Sequence, residues 1–346
     1  MLLATIGTAA VMLGGVAACG SSGGSSQAQR TQGTVSFATP PGSQGCRGAR
    51  TAAGGATVIP VTVSTRQTQV AAMANVCIDG RGPFPFLIDT GAAGSVVTSS
   101  LAQKVGLTAI GQPVLIGGAS CTAEARTSRI SDWNVAGLTL QSQAVTYLKI
   151  PGFGGKGEPD GVLGSDIWSR FGAMRLDFKG GTITVPGPEH ASPSSQSEVK
   201  TPSSRPLPSS LLHGRPAVIA PMQVSSAPGQ TVISVQVSLG SHAPESFTPD
   251  TGASQSVVDS GVAKSTGLRV LKTKVTQDTV CTVVTVPEVA SGSWSVAGHA
   301  LPQQPLGSTA LEQDTGAAGL LGADQMSRFG SVIFDYSGGR LVLGAG

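Results

Sequence analysis

The residues able to do chemistry are two aspartates in matching surroundings. Asp89-Thr90-Gly91-Ala92 follows Phe86-Leu87-Ile88, and Asp250-Thr251-Gly252-Ala253 follows Phe247-Thr248-Pro249. A lone carboxyl group with a pKa of about 3.9 is a weak base and has no proton to give near neutrality. Two carboxyls held roughly 3 Å apart cannot both ionise, so they share one proton and titrate as a pair. One member then acts as a base toward water, and the other as an acid toward a carbonyl or a leaving amine. Threonine beside each aspartate offers a hydroxyl that can bond to the opposite loop. Glycine after it lets an amide approach the carboxylate with no Cβ between.

Such a pair needs two equivalent loops turned face to face, and the chain is duplicated around them. Between Asp89–Leu107 and Asp250–Leu268, 11 of 19 positions are identical. A second block also recurs. Val162-Leu163-Gly164-Ser165-Asp166 matches Leu320-Leu321-Gly322-Ala323-Asp324, Ser169-Arg170-Phe171-Gly172 matches Ser327-Arg328-Phe329-Gly330, and Asp177 matches Asp335. A third Asp-Thr-Gly, at Asp314-Thr315-Gly316, lacks the apolar lead-in and reads as a loop.

The elements that position the loops follow from pattern. Apolar runs at 72–78 and 84–88 flank the turn Asp79-Gly80-Arg81-Gly82-Pro83, and Val232–Leu239 is the counterpart strand in the second unit. A brief helix is expected over Leu101–Val105, capped by Ser99 or Ser100 and stopped by Gly106; Asp259 caps its counterpart. Ile116-Gly117-Gly118-Ala119-Ser120 reads as a glycine-rich hairpin tip, with its counterpart near Thr276–Cys281. Val162-Leu163-Gly164 reads as a buried strand. Asp166 and Asp324 read as N-caps of the short helices that follow, and Asp177 and Asp335 as turn residues beside Gly-Gly pairs. Arg170 and Arg328 are expected to pair with nearby carboxylates or carbonyls.

Composition agrees with short strands. Charged residues make up 12% of the chain, against the usual share of about 25%. With 48 Gly and 22 Pro, the chain reads as all-β: two pseudo-symmetric β-barrel-like lobes with a few short helices. The expected divisions are a lobe at 58–185, a Ser/Pro-rich linker at 186–216 and a lobe at 217–346. A net charge of +3, with no basic run among aromatics, argues against a nucleic-acid partner. Residues 1–18 are apolar and end in Val16-Ala17-Ala18 before Cys19, although without the usual basic start. They resemble a bacterial lipoprotein signal, which implies acylation of Cys19 and a chain anchored by lipid to the outer face of the membrane. Residues 19–57 then read as a flexible tether.

The paired loops resemble those of the aspartic proteases, the pepsin and retropepsin group, over roughly residues 58–185 and 218–344. The resemblance implies catalysis by Asp89 and Asp250, with Thr90, Gly91, Thr251 and Gly252 supporting their loops. It implies attack of a dyad-bound water on a peptide carbonyl, with no metal, no cofactor and no covalent intermediate. It implies a monomer acting on a polypeptide substrate held in strand-like pairing under a flap. Ala92 and Ala253 look more like retropepsin than pepsin. So does the Gly117-Gly118 tip, since neither Tyr147 nor Tyr336 lies near a hairpin tip where pepsin has its flap tyrosine. The different-class alternative is a non-catalytic surface lipoprotein that binds peptides in a protease-like cleft; a third reading is cleavage of itself within the Pro186–Pro216 linker.

The remaining residues carry less. His190, His213, His242 and His299 lack ligand spacing, so no metal site is expected. With Cys19 lipidated, four cysteines are left and three pairings are open. Cys121 and Cys281 occupy near-equivalent repeat positions just past the hairpin tips. A bridge between them would tie the two flaps together over the cleft and leave Cys46 to pair with Cys77.

Overall fold

A computed structural model describes residues 10–11, 45–118, 121–187, 198–200, 206–311 and 316–344. Cys19, and Asp314 and Thr315 of the third Asp-Thr-Gly, lie outside the described residues. The molecule is built of two β-lobes with a few short helices, and each lobe follows the same order of elements.

In the second lobe the strands show the alternation that makes a sheet amphipathic. Along Val218–Ala227, Val218, Ala220, Met222 and Val224 are buried, while Ile219, Pro221, Gln223 and Ser225 are exposed. Gln230–Leu239 alternates likewise and pairs antiparallel with it, Val224 opposite Ile233. In the first lobe, Gln69–Ile78 is buried from Val70 onward, because it is covered on both faces. It turns at Asp79-Gly80 into Arg81–Ile88, the strand that delivers Asp89.

One sheet crosses from lobe to lobe. Its strands run Thr57–Pro60, Thr182–Val185, Met174–Asp177, Ser331–Asp335, Arg340–Leu343 and Val218–Ala227, each antiparallel to the next. At the join Met174 faces Phe334, Arg175 faces Ile333 and Leu176 faces Val332. In the repeat, Met174 corresponds to Val332 and Leu176 to Phe334, so exchanging the lobes maps this register onto itself. The pseudo-two-fold axis therefore passes through the Arg175–Ile333 pair. One apolar core, including Leu176, Met174, Phe334 and Val332, runs continuously through both lobes.

Several edges differ from expectation. Among the described residues, structure of the first lobe extends before Val58. Arg50–Thr51 pairs with the strand Thr57–Pro60, and the sulfurs of Cys46 and Cys77 lie 1.90 Å apart, at disulfide distance. Part of the Ser/Pro-rich linker is packed, with Leu211 fully buried against Ala173, Ile333 and Val342. The first helix spans Ser99–Val105 and is capped by Thr98, whose hydroxyl accepts the Leu101 N–H, not by Ser99 or Ser100. Both serines are instead taken into the helix. Gly106 ends it at φ 80°, and Asp259 caps the counterpart through the amides of Gly261 and Val262. No helix among the described residues is long and apolar enough to cross a membrane.

Candidate active site

Each acidic loop is delivered by one strand and backed by another. Gly161–Leu163 runs parallel to Arg81–Ile88, and Gly319–Gly322 runs parallel to Glu245–Asp250. The repeat puts a phenylalanine against a glycine at both crossings: Phe86 opposite Gly161 and Phe247 opposite Gly319. A Cβ on Gly161 would lie 2.4 Å from the Phe86 ring, and one on Gly319 would lie 2.2 Å from the Phe247 ring. Only glycine lets the backing strand pass that close.

The two loops clasp each other. The Thr90 hydroxyl donates to the carbonyl of Pro249 at 2.8 Å, and the Thr251 hydroxyl donates to that of Ile88 at 2.8 Å. Each hydroxyl also accepts the other threonine's N–H at 3.1 Å. A Cβ on Gly91 would stand 2.3 Å from the Asp250 carboxyl carbon, and one on Gly252 equally close to that of Asp89. The glycines are therefore what allows each backbone to lie against the opposite acid.

Asp89 and Asp250 are both fully buried. Asp89 Oδ1 accepts the Ala92 N–H at 2.8 Å; Asp250 Oδ1 accepts those of Gly252 and Ala253 at 2.8 and 3.0 Å. Among the described residues, no group other than the facing carboxyl bonds Oδ2 of either. Burial, then the charge of Asp250 and a hydrogen bond to it, hold Asp89 well above the usual carboxylate range. Burial pushes Asp250 up to about 6, against the hydrogen bond from Asp89 and the amides around it, which favour its charged form. The two carboxyls therefore share one proton and titrate above the usual carboxylate range as a pair.

Asp166 and Asp324 are not helix caps. The caps are Gly164 and Gly322, without side-chain bonds, and the two carboxylates are buried behind the loops. Asp166 accepts from Ser95 Oγ and from Gln143 Nε2, both at 2.7 Å. Asp324 accepts from Ser256 Oγ at 2.7 Å and from Gln304 Nε2 at 2.6 Å. Ser95 and Ser256 in turn take the N–H groups of Gly164 and Gly322 at 2.9 Å. Each acid therefore ties its backing strand to the segment leaving its Asp-Thr-Gly loop. Burial raises both carboxyls, Asp324 to about 6. Arg170 donates to the side-chain carbonyl of Gln143, and its charge lies near the Asp166 carboxylate. Asp177 and Asp335 do hold turns, taking the N–H groups of Gly180 and Gly338.

One asymmetric feature escaped the sequence reading. Ser165 Oγ donates to the Thr90 carbonyl at 2.7 Å and lies 3.0 Å from the Tyr336 hydroxyl, which reaches over from the second lobe. The repeat-related positions hold Ala323 and Phe178, neither with a hydroxyl. That mismatch within an otherwise faithful repeat is the signal that could have revealed it.

Two hairpins pack against the first loop, Ile116 of one and Val280 in the turn of the other clustering with Ala92. Val114–Gly118 pairs with Thr122–Ile130, with Gly117 and Gly118 buried near its tip. Val270–Asp278 pairs with Val283–Ala290, turning at Thr279–Thr282. Cys121 and Cys281 join the tips at disulfide distance, with sulfurs 2.17 Å and Cα atoms 6.3 Å apart.

A family model for aspartyl proteases matches residues 74–167 and 234–325, each stretch spanning one Asp-Thr-Gly loop and its backing strand. The chain belongs to the aspartyl protease family. No curated protein sequence matches it. Membership in the aspartyl protease family carries a general expectation of hydrolytic chemistry on polypeptides. One loop from each matched stretch meets the other here, Asp89, Thr90 and Gly91 standing against Asp250, Thr251 and Gly252.

Proposed function

We propose that this aspartyl protease family member is an active endopeptidase with Asp89 and Asp250 as its catalytic pair. The observation that carries the reading is two buried carboxyls hydrogen-bonded to each other, each with the glycine of the opposite loop against it. A water held between them loses a proton to ionised Asp250 as it attacks the scissile carbonyl. Protonated Asp89 donates to the carbonyl oxygen as charge develops there. The tetrahedral adduct then collapses: one of its hydroxyls returns a proton to Asp89 as the amine leaves with the proton that Asp250 received. The burial of both carboxyls also strengthens each of these hydrogen bonds.

The same proposal includes a setting. The Val16-Ala17-Ala18-Cys19 pattern supports export and lipid attachment at Cys19, with processing of surface or secreted proteins as the task. A chain lacking intact Cys19 is expected to leave the membrane fraction.

The deciding experiment is cleavage of an unstructured polypeptide by wild type, Asp89→Asn and Asp250→Asn over pH 3–8. Wild type should cleave and be inhibited by a statine-type peptide. Either variant should lose at least about a thousandfold in kcat/KM, since acid and base act as one unit. The acid limb of the profile should reflect Asp250, near 6, because protonating it removes the base. Binding of peptide by wild type with no turnover at any pH would replace the enzyme by a peptide-binding module.

A further inference from the structure

The hairpins that cover the site are joined to each other as well as to their own lobes. Cys281 meets Cys121 at the tips, and Thr279 Oγ1 lies 3.4 Å from Cys121 Sγ. Val280, beside Cys281, is fully buried in a cluster of the opposite lobe that contains Ile116, Ala125, Met73 and Ala92. Ala92 is the residue whose amide holds Asp89. Beneath this roof neither aspartate is exposed. Hairpin, bridge, hairpin and the sheet shared by the lobes make a closed ring of chain around the space above the dyad.

A flap with a free tip can swing aside and let an internal loop of a protein descend into the cleft from above. Here such an entry would have to pass through the Cys121–Cys281 bond or through backbone. The hairpins can rise only together, and a loop entering from the end of the cleft must do so as two strands side by side. We propose that the bridged roof makes the cleft a tunnel, so that the substrate is an extended polypeptide with a free end threaded lengthwise, and closed loops are excluded. This inference rests on the protease reading of the same site.

The test uses a peptide of about twenty residues, spanning a cleavage site first mapped in the unstructured polypeptide, made both linear and head-to-tail cyclic. Oxidised wild type should cleave the linear form and discriminate against the ring by more than about a hundredfold in kcat/KM. The Cys121→Ser/Cys281→Ser double variant should cleave both at rates within a few-fold. If that variant does not fold, mild reduction and alkylation of folded wild type replaces it, with mass spectrometry of the alkylated peptides showing that Cys121 and Cys281 are opened and that Cys46–Cys77, buried at its Cys77 half, is kept. A ring cleaved as fast as the linear peptide by the oxidised enzyme would overturn the tunnel. So would a ring still refused after the bridge is broken, or a linear peptide cleaved only after it is broken, which would make the roof a lock. If no cleavage site can be mapped in the unstructured polypeptide, the protease reading fails and the tunnel with it; if one is mapped and every form still refuses the linear peptide, the tunnel alone is overturned.

Discussion

Asp324 shows how a single buried acid sets the pH response of the fold. Its carboxyl is raised to about 6 by burial, while Ser256, Gln325 and Gln304 donate to the charged form. In the unfolded chain it titrates near 3.8. The folded state therefore binds the proton more tightly, and the stability this group contributes is full below about 4 and lost as pH rises through about 6. A shift of that size corresponds to about 3 kcal/mol. Asp324→Asn keeps an oxygen for Ser256, and the Gln304 amide can turn to accept from the new NH2. The variant should flatten the fall in melting temperature between pH 4 and 7, measured by thermal unfolding at a series of pH values; an unchanged slope would remove Asp324 from the account. Tyr336 gives the second residue-scale expectation. Burial raises its phenol, and its hydroxyl bonds Ser165, which bonds the carbonyl of Thr90. Tyr336→Phe copies the Phe178 of the other lobe and should cost about 1 kcal/mol. If the hydroxyl also orients the first loop, kcat should fall with KM unchanged and the pH–rate profile should move. Stability loss without either kinetic change would make the role purely structural.

At the scale of elements, the backing strands decide whether the loops can form. Gly319 sits where a Cβ would meet the Phe247 ring at 2.2 Å and the Val257 carbonyl at 2.5 Å. Gly319→Ala should destabilise by about 1–3 kcal/mol through overpacking, read as a lowered denaturation midpoint, and Phe247→Leu in the same chain should recover part of it. No recovery would mean that the carbonyl contact, not the ring, sets the limit. The backing strands were legible as a repeated block, but the Phe-against-Gly crossing was not, because pairing of Phe86 with Gly161 and of Phe247 with Gly319 is set by register between distant strands. The capping pattern was legible where it is local: Asp259 reaches amides two and three residues on. It misled at Asp166, whose partners Ser95 and Gln143 lie 71 and 23 residues away. An acid just inside a helix start looks the same in sequence whether it caps that helix or serves a distant strand. Thr98 was passed over for the serines after it because strand and helix meet there without a break. The loop clasp was readable from chemistry, since a hydroxyl beside each acid has few other uses. The Ser165–Tyr336 link was not, because it breaks the repeat that made the rest visible.

For the whole molecule the question is what holds two lobes as one body. The register Met174–Phe334, Arg175–Ile333, Leu176–Val332 makes the central sheet common to both, and the apolar core is continuous through it. The Cys121–Cys281 bridge joins the lobes a second time, at the roof, with a sequence separation of 160. By loop-closure entropy alone, a bridge of that span constrains the unfolded chain by about 5 kcal/mol, and the Cys46–Cys77 bridge, separated by 31, by about 4 kcal/mol. Replacing Cys121 and Cys281 by serine should thus lower stability at least as much as replacing Cys46 and Cys77. It should still leave one unfolding transition, because the shared sheet remains: one lobe cannot melt without stripping the hydrogen bonds and apolar cover from Met174–Asp177 or Ser331–Asp335. Scanning calorimetry checks this through the equality of calorimetric and van't Hoff enthalpies in wild type and in the double variant. Two transitions appearing only in the variant would shift the burden of coupling from the sheet to the roof, and would mean that the lobes turn about the Arg175–Ile333 axis as separate bodies once the flaps are parted.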